Sequence, residues 1–310
     1  MLARIAQELF WLGRNLARAE SMSRLLEGVY LADLQGRPED PGATRLSWDS
    51  LAHITGGRHR ADGSSGRDAV LDALTFDTSD PTSVVACIAR ARKGATTVRD
   101  VISAEMWEAI NMTYLRLRDG DLARPALSGP VALCQHVKER SALFWGLTSR
   151  TMLRDEASAF LYAGGRIEAG DMVLRMLRVA LPPDGADGQD DGGQAIALVQ
   201  AVGGLQAYRR AVPAPAHAGP VTRFLLFERN YPDSVAAAVD AVDGALRTAD
   251  SQPRSSEPIL RLSRLAADLE FRRGAEGDAD LRVTCRDVQR ELGLIDADIT
   301  QRYFGGARAA

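Results

Sequence analysis

Arginine and glutamate side chains are the leading candidates for chemistry in this 310-residue chain. Arg14 and Arg18 are four residues apart, so a helix places both guanidinium groups on one face. Such a pair can bind a carboxylate or a phosphate through parallel hydrogen bonds. The candidates for a catalytic acid or base are Glu20, Glu105 and Glu168. Glu20 lies about 160° around the helix from Arg18, so these two side chains do not pair.

Three further residues complete the candidate ligand-binding set with the two arginines: Trp107, Asn111 and Arg154. Trp107 and Asn111 share a predicted helix with Glu105. A functional interpretation gathers Glu105 with the two arginines in a partly buried pocket that binds an anion. A structural interpretation makes the same groups an interhelical salt-bridge network that fixes how the helices pack.

Motifs of common catalytic and metal sites are missing from the sequence. It contains no Gly-x-Ser-x-Gly, no Walker loop and no Glu-x-x-His, the pattern of di-iron bundles. Glu168 and Asp171 could form paired carboxylates on one helix face. We expect neither a metal nor another cofactor. Free buried thiols are expected at the three widely spaced cysteines, Cys87, Cys134 and Cys285.

Charge is balanced along the chain, which carries a formal net charge of -3. The first 151 residues hold 19 basic and 18 acidic residues, and the remainder holds 19 and 23. Neither half has the basic excess that is typical of nucleic-acid binding. Charged residues interrupt the N-terminal apolar run, and no stretch of 18 apolar residues occurs. We therefore expect no secretory signal, no membrane span and a cytoplasmic location.

Hydrophobic residues recur at steps of three and four through most of the chain, the period of an amphipathic helix. Residues 2–34 are apolar on two sides and predict a central helix, whereas residues 184–193 are rich in Gly and Asp and predict an exposed loop. Strand-type alternation is nowhere sustained, so the sequence predicts an all-α bundle of ten to twelve helices. The later helices are predicted at about 45–54, 81–102, 104–117, 129–152, 155–181, 194–211, 220–228, 232–249, 256–272 and 279–304, and residues 67–75 form a short apolar segment.

An internal repeat is indicated when the chain is shifted by 151 residues. The aligned pairs include Gly13 with Gly164, Arg24 with Arg175, Phe76 with Phe227, Pro81 with Pro232, Ser83 with Ser234 and Cys134 with Cys285. We predict a single domain of residues 1–310 built from similar halves, 1–151 and 152–310, whose first helices meet near the centre. The alternative is that unrelated helical segments share prolines at their starts.

Residues 2–6 are LARIA, residues 11–20 are WLGRNLARAE and residues 24–26 are RLL. Together with later segments in the same order, they resemble the bacterial Alpha-E domain family over essentially the whole chain. WLGRNLARAE is similar to the N-terminal signature of that family. FLYAGGRIEAGD at residues 160–171 is similar to its second copy, but Gly165 and Ala169 stand where that copy usually carries two arginines. Further similar segments are residues 81–84, 102–108, 144–148 and 151–156.

The resemblance implies an all-helical protein that accompanies a circularly permuted ATP-grasp amide ligase and a transglutaminase-like peptidase in bacterial operons. Its expected setting is the synthesis or processing of a peptide-like product. We expect a non-catalytic accessory protein that binds or positions the ligase or its substrate. One alternative is an enzyme that acts on amide bonds with a glutamate as acid or base and arginines that bind anions. Another is a helical scaffold that forms a homo-oligomer.

Overall fold

The computed structural model describes residues 1–34, 46–56, 67–119, 122, 130–180, 192–274 and 281–305. Within these ranges the regular elements are α-helices and one short 3-10 helix, Pro253–Ser255, which confirms the all-α prediction. The helices are α1 Ala3–Leu34, α2 Trp48–Thr55, α3 Arg67–Phe76, α4 Val84–Thr97, α5 Ala104–Arg118, α6 Val131–Thr151, α7 Glu156–Ala180, α8 Gly192–Ala201, α9 Leu205–Ala211, α10 Ala218–Phe227, α11 Val235–Ala249, α12 Glu257–Arg273 and α13 Leu281–Tyr303.

Serine side chains set the start of three helices. The Ser83 hydroxyl accepts a hydrogen bond from the Ala86 backbone N–H, and Ser103 and Ser234 make the same bond at α5 and α11. Each bond satisfies one of the backbone donors that a helix leaves without an intrahelical partner at its first turn. The helix predicted from Pro81 therefore begins three residues later, at Val84.

We expect Ser234→Ala to lower the free energy of unfolding by about 1 kcal/mol, because the buried first turn of α11 loses its capping acceptor. Urea denaturation measures the change. Ser251→Ala is the matched control, since Ser251 is exposed in the turn after α11 and the change should stay within about 0.5 kcal/mol. Equal effects of the two substitutions would contradict a capping role for Ser234.

Two predicted helices end earlier than expected. The run predicted over 81–102 stops at Thr97 and continues as a turn, and Ser103 then begins α5. The run predicted over 194–211 is divided into α8 and α9 by Gly203, which has a φ of 74°. The Gly204 N–H bonds to the Val199 carbonyl, the backbone pattern of a helix that ends at a glycine in the left-handed region. Residues 184–191 of the predicted loop lie outside the described residues. The last two residues of that prediction, 192 and 193, belong to α8.

Helices α1 and α7 form the centre of the bundle and pack along each other, as predicted for the first helices of the two halves. Helix α4 packs on α1, and α11 packs on α7 in the corresponding way. Helix α8 from the second half contacts α1, while α2 from the first half contacts α7. Buried apolar side chains on several sides of α1 confirm that it is a central helix.

The helix boundaries support the predicted repeat. Helices α3 and α10 both contain ten residues, and their first and last residues differ in number by 151. Helices α4 and α11 begin the same distance apart and carry the same serine cap. The repeat itself stays a prediction.

Candidate functional site

Helices α1 and α7 touch backbone to backbone where they cross. A Cβ atom on Gly13 would overlap the Leu161 carbonyl oxygen, and one on Gly164 would overlap the Phe10 carbonyl oxygen. The two contacts are reciprocal, because both Gly13 and Gly164 and the two carbonyl residues are separated by 151 positions. This contact fixes which side chains of α1 and α7 face each other.

Four charged side chains form what we call the ion cluster: Arg14, Arg18, Glu168 and Asp296. Arg14 Nε donates to Glu168 Oε2 over 2.9 Å, and its Nη1 donates to Asp296 Oδ1 over 2.7 Å. Arg18 donates from Nε to Glu168 Oε1 over 2.5 Å and from Nη2 to Oε2 over 2.9 Å. The Glu168 side chain is only 2% exposed. It is therefore a buried carboxylate clamped between two guanidinium groups.

The charge state of the ion cluster follows from its geometry. Burial alone would raise the pKa of Glu168, but the nearby charges and hydrogen bonds of Arg14 and Arg18 lower it to about 2. The same carboxylate raises the pKa of both arginines despite their burial. The Arg14 guanidinium also stacks over the Trp11 ring, 4.8 Å from its centroid. At neutral pH Glu168 is ionised and is paired with the charged side chains of Arg14 and Arg18.

Glu20 on α1 and Asp171 on α7 are 151 positions apart and make similar contacts. Arg24 donates from Nε and Nη2 to Glu20 Oε1, and Arg175 donates from Nε to Asp171 Oδ2, each pair one helical turn apart. Glu20 also accepts from the Ser141 hydroxyl over 2.6 Å. Glu20 pairs with Arg24 and not with Arg18, as the helical spacing predicted. Asp171 does not pair with Glu168 as a second carboxylate of one site.

Glu105 does not lie with Arg14 and Arg18, which corrects the expectation that they share one interior. It is exposed in the first turn of α5. Hydrogen bonds from its own backbone N–H and from the Ser103 hydroxyl lower the pKa of Glu105. Arg154 is also exposed, in the turn between α6 and α7. Glu168 instead supplies the carboxylate that the two arginines bind.

Trp107 and Asn111 belong to a separate cluster between α4 and α5. Asn111 Oδ1 accepts from Arg92 Nε over 2.8 Å. The Arg92 and Arg99 guanidinium carbons lie 5.6 and 4.8 Å from the Trp107 ring centroid. These are cation–π contacts that fix α5 against α4, and they leave Trp107 apart from the arginine pair of α1.

A cavity of about 320 Å³ opens beside the α1–α7 crossing. Its wall comes from α1, α6, α7, the end of α8 and the turn before α11. Trp145 and Tyr162 contribute aromatic surface, with ring centroids 5.6 Å apart and planes inclined by 30°. The volume is at the lower end of the range for small-molecule sites. We call this space the cavity and treat it as the candidate functional site.

The cavity lies where the predicted repeat would place a second ion cluster. The positions 151 residues away from Arg14, Arg18 and Glu168 hold Gly165, Ala169 and Ala17. All three of these small residues line the cavity. Long ionic side chains fill one side of the crossing, and residues with a methyl group or none leave the other side open. Trp145 uses part of this space, since its ring lies against Gly165.

Sequence reasoning noticed the altered positions but missed the cavity. Gly165 and Ala169 were recognised as departures from two family arginines, which was the signal available. The missing arginines argued against a second arginine site on α7. Whether their absence leaves a cavity depends on whether a side chain from another helix fills the space. Trp145 comes from another helix and fills only part of it.

The three cysteines are free and buried, as predicted. Burial raises the pKa of Cys87 to about 11 and that of Cys134 to about 12. Among the described side chains, no group of three or more His, Cys, Asp and Glu residues could hold a metal ion. Searching the same described part of the chain, we find no helix with both the length and the apolar character needed to cross a membrane.

Three comparisons with known proteins complement this geometry. Relatives include uncharacterized proteins of Mycobacterium bovis and of two strains of Mycobacterium tuberculosis, each 25% identical over 274 residues. The match covers 82% of this chain and 31% of each relative, so the chain spans about a third of their length. No solved structure matches the chain.

The sequence profile of the Alpha-E family matches residues 1–304. The family is described as a predicted alpha-helical domain with a conserved ER motif. Glu-Arg dipeptides occur at 139–140 and 228–229 of this chain, and neither lies in the ion cluster or the cavity wall. Because the profile covers nearly the whole length and the fold is all helical, this chain belongs to the Alpha-E family.

Proposed function

We propose that this chain is a helical accessory protein that binds a peptide-like substrate and positions it for an ATP-grasp amide ligase. The cavity beside the α1–α7 crossing is the observation that carries this proposal. It combines apolar and aromatic surface with charged groups at the wall, the composition of a ligand site. The helices that frame it are held by the backbone contact at Gly13 and Gly164, which gives the site a rigid support.

The charge states of Glu105 and Glu168, two of the three candidate glutamates, favour binding over acid or base catalysis. Glu168, with a pKa of about 2, is ionised at neutral pH and is already bound by two arginines. Glu105 has a lowered pKa and is exposed in the first turn of α5, away from the ion cluster. A catalytic acid or base works best with a pKa near the working pH, which neither carboxylate has. The enzyme alternative would be restored if Arg14→Ala or Glu105→Gln abolished product formation in a folded chain.

The proposed partners are the ATP-grasp ligase and the transglutaminase-like peptidase that the family resemblance implies. The curated relatives support a role within a larger system, because the matched region is 31% of their length and the rest is further protein. A unit that is joined to other polypeptide in its relatives is suited to work beside other protein.

Co-purification tests this proposal. The tagged chain would be produced together with an ATP-grasp ligase and a transglutaminase-like peptidase of the same organism, and the complex would be measured by size-exclusion chromatography with light scattering. We expect a stable complex with the ligase or the peptidase. The chain alone, run as a control, reports whether it is a homo-oligomer. Recovery of the chain with neither partner would contradict the proposal, and a homo-oligomer without partners would favour the scaffold alternative.

A further inference from the structure

We propose that the cavity binds a small zwitterion with an apolar body, namely an apolar α-amino acid or a short apolar peptide with free ends. This assignment names the substrate class of the site and rests on the proposed function for its biological role. The ligand class follows from three features of the cavity: its apolar floor, its two opposite-charge pairs and its size.

The floor of the cavity suits an aromatic or aliphatic side chain. Trp145 and Tyr162 present neighbouring rings, and Met172, Val173 and Met176 add flexible and branched apolar surface from α7. Aromatic rings favour offset or tilted contact with another ring. Methionine side chains adapt their shape to what they contact. An apolar ligand body therefore gains contact here without requiring one fixed outline.

The wall of the cavity carries two arginine–carboxylate pairs. Arg166 Nη2 donates to Asp233 Oδ1 over 2.5 Å, and Arg24 Nη2 donates to Glu20 Oε1 over 2.8 Å. Both arginines and both carboxylates, Glu20 and Asp233, line the cavity. In the described part of the chain, Nη2 is the Arg166 atom that makes a protein hydrogen bond. Its remaining N–H groups are available to a ligand carboxylate.

The balance of charge distinguishes a zwitterion from a ligand with one charge. A lone carboxylate that binds the available N–H groups of Arg166 adds a second negative charge beside Asp233, with no cation to balance it. A lone ammonium group that binds Asp233 likewise adds a second positive charge beside Arg166. A zwitterion supplies a carboxylate for one member and an ammonium group for the other, so both keep a charged partner. Asp233 is 43% exposed, so its side chain has room to turn toward the ligand.

The size of the cavity limits the ligand to one or two residues. A volume of about 320 Å³ accommodates a single aromatic amino acid or a small dipeptide. The short side chain of Ala169 leaves this space open. At the matching position on the other side of the crossing, the longer side chain of Arg18 occupies the space. A free amino acid and a short peptide both carry zwitterionic ends. Binding measured for each of them shows which of the two the cavity takes.

Isothermal titration calorimetry on the whole chain tests the assignment with four probes. They are L-phenylalanine, the dipeptide L-alanyl-L-phenylalanine, N-acetyl-L-phenylalanine and L-phenylalaninamide. We expect saturable binding of at least one zwitterion, with a dissociation constant below about 1 mM. We expect both capped compounds to bind at least about 10-fold more weakly, since each lacks one charged partner.

Two pairs of variants locate the binding. Arg166→Gln should weaken binding of the zwitterion at least about 10-fold, whereas Arg178→Gln, on the exposed side of the same helix, should leave it unchanged. Ala169→Leu fills the cavity and should abolish binding, whereas Ala267→Leu, exposed on α12, should not. Thermal unfolding of each variant shows whether it is folded, and filling a cavity is not expected to destabilise the chain.

Several results would overturn the assignment. Absence of saturable binding of both zwitterions by the folded wild-type chain would do so, and so would equal binding of either capped compound. Undiminished binding by folded Ala169→Leu would place the ligand elsewhere. None of these measurements includes the ligase or the peptidase. A chain that forms the complex but binds no zwitterion keeps its proposed accessory role and loses only this substrate class.

Discussion

Gly13→Ala and Gly164→Ala are each expected to lower the free energy of unfolding by at least about 3 kcal/mol. The added methyl group would overlap a backbone carbonyl oxygen of the facing central helix, which cannot move aside as a side chain can. Relief requires α1 and α7 to separate along their length. Every helix that packs on this pair would lose contact area. The effect therefore belongs at the upper end of what overpacking costs.

Urea denaturation measured on both variants checks this expectation, with Gly293→Ala as the matched control. Gly293 is an exposed glycine within α13, and a Cβ there would have no heavy atom within 4 Å. Because alanine is the better helix former, we expect the control to gain about 0.5–1 kcal/mol. Similar stabilities for Gly13→Ala and Gly293→Ala would contradict the backbone contact at the crossing.

Glu168→Gln is expected to lower the free energy of unfolding by about 3 kcal/mol. Arg14 and Arg18 are mostly buried, and the substitution removes the carboxylate that both of them bind. Removal of one member of a buried ion pair costs more than the pair itself contributes. Glu270→Gln is the matched control. Glu270 pairs with Arg273 at the surface, and its substitution should change stability by less than about 1 kcal/mol.

The stabilising effect of Glu168 should also depend on pH in a defined direction. Its pKa is about 2 in the folded chain against an ordinary value of 4.5. Its contribution is therefore complete above pH 4.5 and is lost as the pH falls toward 2. The stability difference between wild type and Glu168→Gln should shrink over that interval. A difference that stays constant from pH 6 to pH 3 would contradict a salt-bridged Glu168.

Much of the fold could be predicted from the sequence because its signals are local. The apolar period of residues 2–34 predicted the central helix, and α13 was placed to within two residues at each end. The break at Gly203 was missed because both flanking segments share one apolar period, and only the left-handed backbone of a glycine separates them. A helix start at Pro81 was predicted because proline suits a first turn, yet the hydroxyl of Ser83 provides the cap.

The candidate site depended on contacts that a single sequence does not specify. Arg14 and Arg18 were predicted to lie on one helix face, and helical spacing excluded Glu20 as a partner of Arg18. The sequence analysis placed Glu105 beside the two arginines and considered Glu168 only as an acid or base, because nothing local indicates which distant carboxylate they meet. The choice is made by the crossing at Gly13, which brings a carboxylate 150 residues away from Arg18 into contact. The cavity was harder still, because it depends on the size of several side chains from different helices.

We predict that the cavity is the counterpart of the ion cluster on the other side of the crossing, and a double-mutant cycle tests this prediction most directly. Ala17→Glu and Ala169→Arg would restore the pair that Glu168 and Arg18 form on the other side of the crossing. We expect Ala17→Glu alone to be destabilising, since it places a carboxylate at a buried position.

The free energy of unfolding would be measured in urea for wild type, both single variants and the double variant. A true counterpart predicts that the double variant is more stable than the sum of the single effects by at least about 1 kcal/mol. Strictly additive effects would contradict it, because they would show that positions 17 and 169 do not face each other as Glu168 and Arg18 do.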